Sequence, residues 1–129
     1  MMARLADVVI DCARPAVVAR FWAATLDGYA VAPYDDNELA RLRSIGVDDP
    51  EDDPTVLVEG PADSPRLWFQ RVPEAKAVKN RVHLDLRTAD LDAEVGRLTG
   101  LGAQVLHPER DGLVGMADVE GNEFCVTRG

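Results

Sequence analysis

The chain has 129 residues, enough for one domain with a sizeable core, and its 47% hydrophobic and 29% charged content is that of a globular protein. A net charge of −9 excludes nucleic acid as a partner, because phosphate binding needs a basic face; a small anion held by a local basic cluster stays open. No apolar run could span a bilayer and the first residues carry no secretory pattern, so no membrane partner and a cytoplasmic address are expected.

Ala6–Cys12 alternates as a strand, with Val8, Ile10 and Cys12 on one side and Asp7, Val9 and Asp11 on the other. Arg14-Pro15 then opens a helix, since proline fits a first turn whose N–H has no partner anyway. Val17, Val18, Phe21, Trp22 and Leu26 supply its apolar face, and Asp27-Gly28 ends it. Tyr29–Pro33 reads as a short strand. The segment from Asp35 to Asp53 carries eight carboxylates and reads as a solvated acidic excursion with a short helix over Glu38–Ile45. It lacks the carboxylate spacing and mid-loop glycine of an EF-hand. Thr55–Glu59 and Arg66–Val72 are strands around a Gly60–Pro65 turn, and Pro73–Lys79 is a polar connection.

The pattern then restarts. Asn80–Arg87 alternates, with Val82, Leu84 and Leu86 predicted on one face and His83, Asp85 and Arg87 on the other. Asp90 caps a helix marked by Leu91, Val95, Leu98 and Leu101, which Gly102 stops. Strands over Ala103–His107 and Gly112–Asp118, a turn at Val119–Asn122 and a closing strand Glu123–Thr127 complete the chain. The order is therefore β-α-β-β-β twice, an α+β plan with extra material in the first half. Cys12 and Cys125 are the only cysteines, and both read as free thiols.

The polar faces carry the candidate chemistry. His83 can act as a general base, a metal ligand or a hydrogen-bond donor; equally, Asp85 or a backbone carbonyl can tie it down. Asp85 can orient His83, bind ligand, or pair with Arg81 or Arg87. Trp68 offers a ring for stacking a planar molecule or for packing. Gln70 can donate and accept at a ligand carbonyl. Lys76, Lys79 and Arg81 either draw an anionic substrate to the site or are solvated loop charges. His107, before Pro108, is expected at the surface.

The sequence resembles the vicinal oxygen chelate superfamily, in its glyoxalase-like and bleomycin-resistance-like branch. The resemblance is carried by Val8–Pro15 with Phe21, Trp22 and Gly28, by Arg81–Asp92 and Leu98–Gly102, and by the Ala117–Phe124 run with its Asp-x-x-Gly-Asn turn. It implies one glyoxalase-like domain of two βαβββ modules, about residues 1–75 and 80–129, whose mixed sheets curl into an open cup with the helices outside. The cup would be lined by Asp7, Val9, Trp68, Gln70, His83, Asp85, Met116, Glu123 and Cys125. The opposite faces would form the core.

In metal-using members of that superfamily, four inward positions hold a divalent cation. Here they fall on Asp7, Gln70, His83 and Cys125, with cysteine where the family places glutamate. A zinc, nickel or manganese ion is the metal such a set implies, and thiolate with imidazole favours zinc. Two functions follow. One is a lyase or isomerase acting on a small carbonyl compound, with His83 and Asp85 as catalytic groups and Trp68, Gln70, Met116 and Glu123 binding substrate. The other is a metal-free protein that sequesters a small, partly aromatic molecule. The superfamily also implies a homodimer.

Overall fold

The computed structural model describes residues 1–129, which divide into two compact units, Met1–Ala75 and Lys76–Gly129. In the first, strand β1 (Asp7–Cys12) leads into helix α1 (Pro15–Thr25), strand β2 (Ala30–Val31), helix α2 (Asp36–Ser44), a 3-10 turn at Pro50–Asp52, and strands β3 (Thr55–Glu59) and β4 (Arg66–Arg71). The second runs β5 (Leu84–Thr88), α3 (Leu91–Gly100), β6 (Gln104–Arg110), β7 (Leu113–Ala117) and β8 (Glu123–Arg128). Each unit is a four-stranded mixed sheet, ordered β1-β4-β3-β2 and β5-β8-β7-β6. In both, the first and last strands are parallel neighbours and the remaining pairs are antiparallel. The α+β fold with two repeated βαβββ modules is thus the one the sequence predicts. No helix is long and apolar enough to cross a membrane.

One face of each sheet is the core. Register puts Val8 beside Leu67 and Ile10 beside Phe69, with Val56 and Val58 continuing the layer. Helix α1 covers it with Val18, Ala19, Phe21 and Trp22, all buried, the two rings meeting edge to face at 5.4 Å. The helix starts at proline as expected but ends at Thr25, capped by an extended Leu26 and not by glycine; Gly28 lies in the turn beyond, where its φ of +76° suits the left-handed region and an added Cβ would meet Pro61 at 2.9 Å. In the second unit Leu91 and Leu98 of α3 are buried with Phe124 and Val126 of β8. Asp90 caps α3 by accepting from the Ala93 N–H at 3.1 Å.

Four predicted features are corrected. The strand over Arg81–Arg87 begins only at Leu84, so Arg81, Val82 and His83 precede it, and Val82 is 74% exposed rather than core-facing. The physical reason is Glu123: its Oε2 accepts the Asn80 N–H at 2.9 Å, so the approaching chain is held by a side chain and joins the ladder late. Met116 is not on the cup face. It pairs with Phe124 and is fully buried in the core. Strand β6 of this unit extends to Arg110, with register shifts on either side of His107, and tolerates Pro108 because it is an edge strand. Finally, the acidic excursion is only partly solvated. Its helix spans Asp36–Ser44, Leu42 is buried, and Asp53 is 1% exposed.

Candidate ligand-binding pocket

The open face of the first sheet displays Asp7, Val9 and Asp11 of β1, Trp68 and Gln70 of β4, and Thr55, Leu57 and Glu59 of β3, since each of these sets alternates with core residues. The acidic excursion closes over this face. Arg20 of α1 grips Glu51 through two bonds of 2.6 and 2.8 Å, and the Asp35 side chain starts α2 by accepting from the Glu38 N–H. Between excursion and sheet lies a cleft of about 550 Å³, within the size range of small-molecule sites. Trp68 and Leu57 form its floor on the sheet side, and Tyr34, Arg41 and Asp53 line it from the excursion.

The excursion wall is built around Asp53. Its Oδ1 accepts the Thr55 N–H at 2.9 Å, its Oδ2 accepts the Tyr34 hydroxyl at 2.7 Å, and Arg41 lies 3.5 Å away while also pairing with Glu38 at 3.0 Å. Burial and the carboxylate beside it push the Tyr34 phenol well above its ordinary range, so Tyr34 stays a hydroxyl that donates to Asp53. Sequence reading placed Trp68 at a site but missed Tyr34, Arg41 and Asp53. A tyrosine in an otherwise acidic segment, with Leu42 one helical turn after Glu38, was the available signal.

Within the first unit, the two family metal positions Asp7 and Gln70 stand apart. Asp7 sits opposite Arg66, whose guanidinium takes both its oxygens at 2.7 and 3.1 Å and holds its carboxyl below the usual range. Gln70 sits opposite Asp11, at 3.4 Å. Asp7 and Gln70 are therefore four positions apart on paired strands, roughly 13 Å, too far to share one ion. In the second unit Cys125 pairs with Asp85. Burial first, and the Asp85 charge after it, push the Cys125 thiol up, away from the thiolate a metal needs. Nowhere do three His, Cys, Asp or Glu side chains gather in a geometry that would hold a metal ion.

His83 stands just before β5, exposed, with Asp85 two residues on. Its Nε2 lies 2.6 Å from the Lys79 ammonium and 3.0 Å from the Asn80 carbonyl oxygen. Lysine can only donate and a carbonyl can only accept, so Nε2 serves one of them at a time. The connecting segment, through Lys79 and Asn80, holds the ring. Glu123, expected at substrate, has both oxygens engaged, Oε2 by Asn80 and Oε1 by Lys76 at 3.0 Å. Those bonds, the Asn80 N–H foremost, hold its carboxyl down to about 2. The folded value is depressed from 4.5, so its contribution is complete above about pH 5 and disappears as pH falls toward 2. We expect Glu123→Gln to lose about 1–2 kcal/mol at pH 7 and to flatten that stretch of the stability–pH curve, read by urea unfolding at several pH values. An unchanged curve would show that the clamp does not matter.

Comparisons agree with this architecture. The glyoxalase-like domain family matches residues 7–127. Among solved structures, a glyoxalase/bleomycin resistance protein/dioxygenase family enzyme from Burkholderia phytofirmans superposes with a TM-score of 0.67 at 15% identity, covering 98% of each chain. The fosfomycin resistance protein FosX from Mesorhizobium loti gives 0.67 at 15% identity over 100% of this chain and 94% of that one. A single-site mutant of FosX from Listeria monocytogenes, in complex with Mn(II) and a dihydroxypropylphosphonic acid, gives 0.65 at 9% identity over 98% of this chain and 90% of that one. No curated protein matches the sequence significantly. With the family pattern running over nearly all of its length, through both half-repeats, the chain belongs to the glyoxalase-like domain family of the vicinal oxygen chelate superfamily.

Proposed function

We propose that this protein binds a small, partly aromatic molecule without the help of a metal, and that the molecule lies over Trp68 in the cleft of the first unit. The observation that carries the reading is the cleft itself: about 550 Å³, floored by Trp68 and Leu57 and walled by a hydrogen-bonded Tyr34–Asp53–Arg41 network. An aromatic floor supplies burial and stacking, while a few fixed polar groups set orientation. The separation of Asp7 from Gln70 within the first unit, and the raised Cys125 thiol in the second, support the metal-free form.

The test pairs metal analysis with binding. After chelator treatment, the protein is expected to bind a planar aromatic probe such as 2-naphthylmethanol, and Trp68→Ala to weaken that binding about tenfold with little change in folding. Elemental analysis and titration with nickel, zinc and manganese, on wild type and His83→Ala, complete it. A stoichiometric ion that His83→Ala releases would overturn the metal-free reading, and binding indifferent to Trp68→Ala would overturn the location.

A second reading, a lyase or isomerase on a small carbonyl compound, is favoured by His83 and Asp85 standing exposed close together at the start of β5. With its Nε2–H donating to the Asn80 carbonyl, Nδ1 would be the basic nitrogen. Turnover of small ketoaldehydes that His83→Ala abolishes would select it. Either function is compatible with a homodimer, which light scattering would reveal.

A further inference from the structure

Charge around the cleft is one-sided. Five ionisable carboxylate or guanidinium groups line it: Asp35, Glu38, Asp53 and Glu59 against Arg41 alone. Arg41 is already shared, 3.0 Å from Glu38 and 3.5 Å from Asp53, so its charge is spent inside the wall. Asp35 serves as the cap of α2, and Glu59 feels only the more distant charge of Arg66, whose guanidinium is bound to both oxygens of Asp7. The cleft floor adds a ring that accepts a cation: the Arg66 guanidinium carbon stands 5.7 Å from the Trp68 ring centroid. Carboxylates around an apolar floor focus a negative potential into the cleft, which raises the local concentration of cations and repels anions.

From these observations we propose that the Trp68 cleft selects organic cations, taking a small aromatic ammonium compound whose ring lies on Trp68 and whose charge faces Glu59 and Asp35. The inference rests on the reading of this cleft as the ligand site. It adds the charge of the ligand, and it sets this cleft apart from sites that hold a phosphonate, since a phosphonate here would meet four carboxylates and two guanidinium groups already committed, Arg41 to Glu38 and Asp53 and Arg66 to Asp7.

The experiment compares three probes with one ring and three charges: 2-naphthylmethylammonium, 2-naphthylmethanol and 2-naphthoate. Each is titrated calorimetrically into the full chain at pH 7, in low and in raised salt. The ammonium is expected to bind about tenfold tighter than the alcohol, and the naphthoate more weakly than either, with the spread shrinking as salt rises. Trp68→Ala should weaken the ammonium and the alcohol alike. Glu59→Gln, at an exposed position, should weaken the ammonium about threefold and the alcohol distinctly less, a split that a merely structural role would not produce. If all three bind equally and all depend on Trp68, the cation selection is overturned while the cleft remains the ligand site. If none binds, or none depends on Trp68, the cleft reading fails and the inference fails with it.

Discussion

Replacing Asp53 with alanine is expected to lower stability by about 3 kcal/mol, the larger of the single-site effects foreseen here. The carboxylate is 1% exposed and accepts from the Thr55 N–H and the Tyr34 hydroxyl, with Arg41 alongside. Removing it leaves a backbone donor and a phenol without their acceptor and takes one of two anions from Arg41. Urea unfolding followed by tryptophan emission measures the loss, and a cost below about 1 kcal/mol would mean the network is dispensable. Asp53→Asn keeps an acceptor for Thr55 and is expected to cost less. It also removes the negative charge beside Tyr34, so the phenol should ionise at lower pH, which absorbance titration reads. Because this network forms one wall of the cleft, Asp53→Ala should weaken ligand binding even where the protein remains folded.

The second large effect belongs to Asp118. It is 3% exposed, and its carboxylate ties the turn before β8, accepting the Glu120 and Asn122 N–H groups at 2.9 and 3.0 Å and the Asn122 side-chain amide at 3.2 Å. Asp118→Ala deprives two backbone donors of their acceptor and is expected to cost about 2–3 kcal/mol. Strand β8 is paired on both sides, with β5 and with β7, so its amides should exchange faster in the variant. Slow exchange retained throughout β8 would show that the ladder, and not the turn, sets the register.

The repeat was legible because alternation is a strong local signal. Val8 and Ile10 against Asp7 and Val9, or Leu67 and Phe69 against Trp68 and Gln70, announce a face without knowledge of the partner strand. Partners and register were not legible to the same degree. Asp7 and Gln70 share a face, yet parallel pairing sets Asp7 against Arg66 and separates the two along the ladder. Met116 shows the same lesson with a clue that was present. Once Glu123 is assigned to the open face, Ala117 across the turn must join it, which turns Met116 to the core. His83 escaped its strand for a reason no periodicity encodes, a glutamate 43 positions beyond Asn80 claiming the Asn80 N–H. The cleft wall was hidden by composition, since a run of carboxylates reads as solvated until one of them, Asp53, proves to be the buried centre of a network.

The parallel closure of each sheet also says what the acidic excursion demands of the folding chain. In the first unit the ends joined are 59 residues apart, as Asp7 and Arg66 are; in the second, Leu86 and Thr127 are 41 apart. The entropy of closing a flexible loop grows with the logarithm of its length, so the longer first loop adds only about 0.3 kcal/mol to closure. An inserted wall of this kind can lengthen or change its residues while the strands it bridges keep their pairing. Such a unit can vary what its cleft receives without renegotiating how its sheet is assembled.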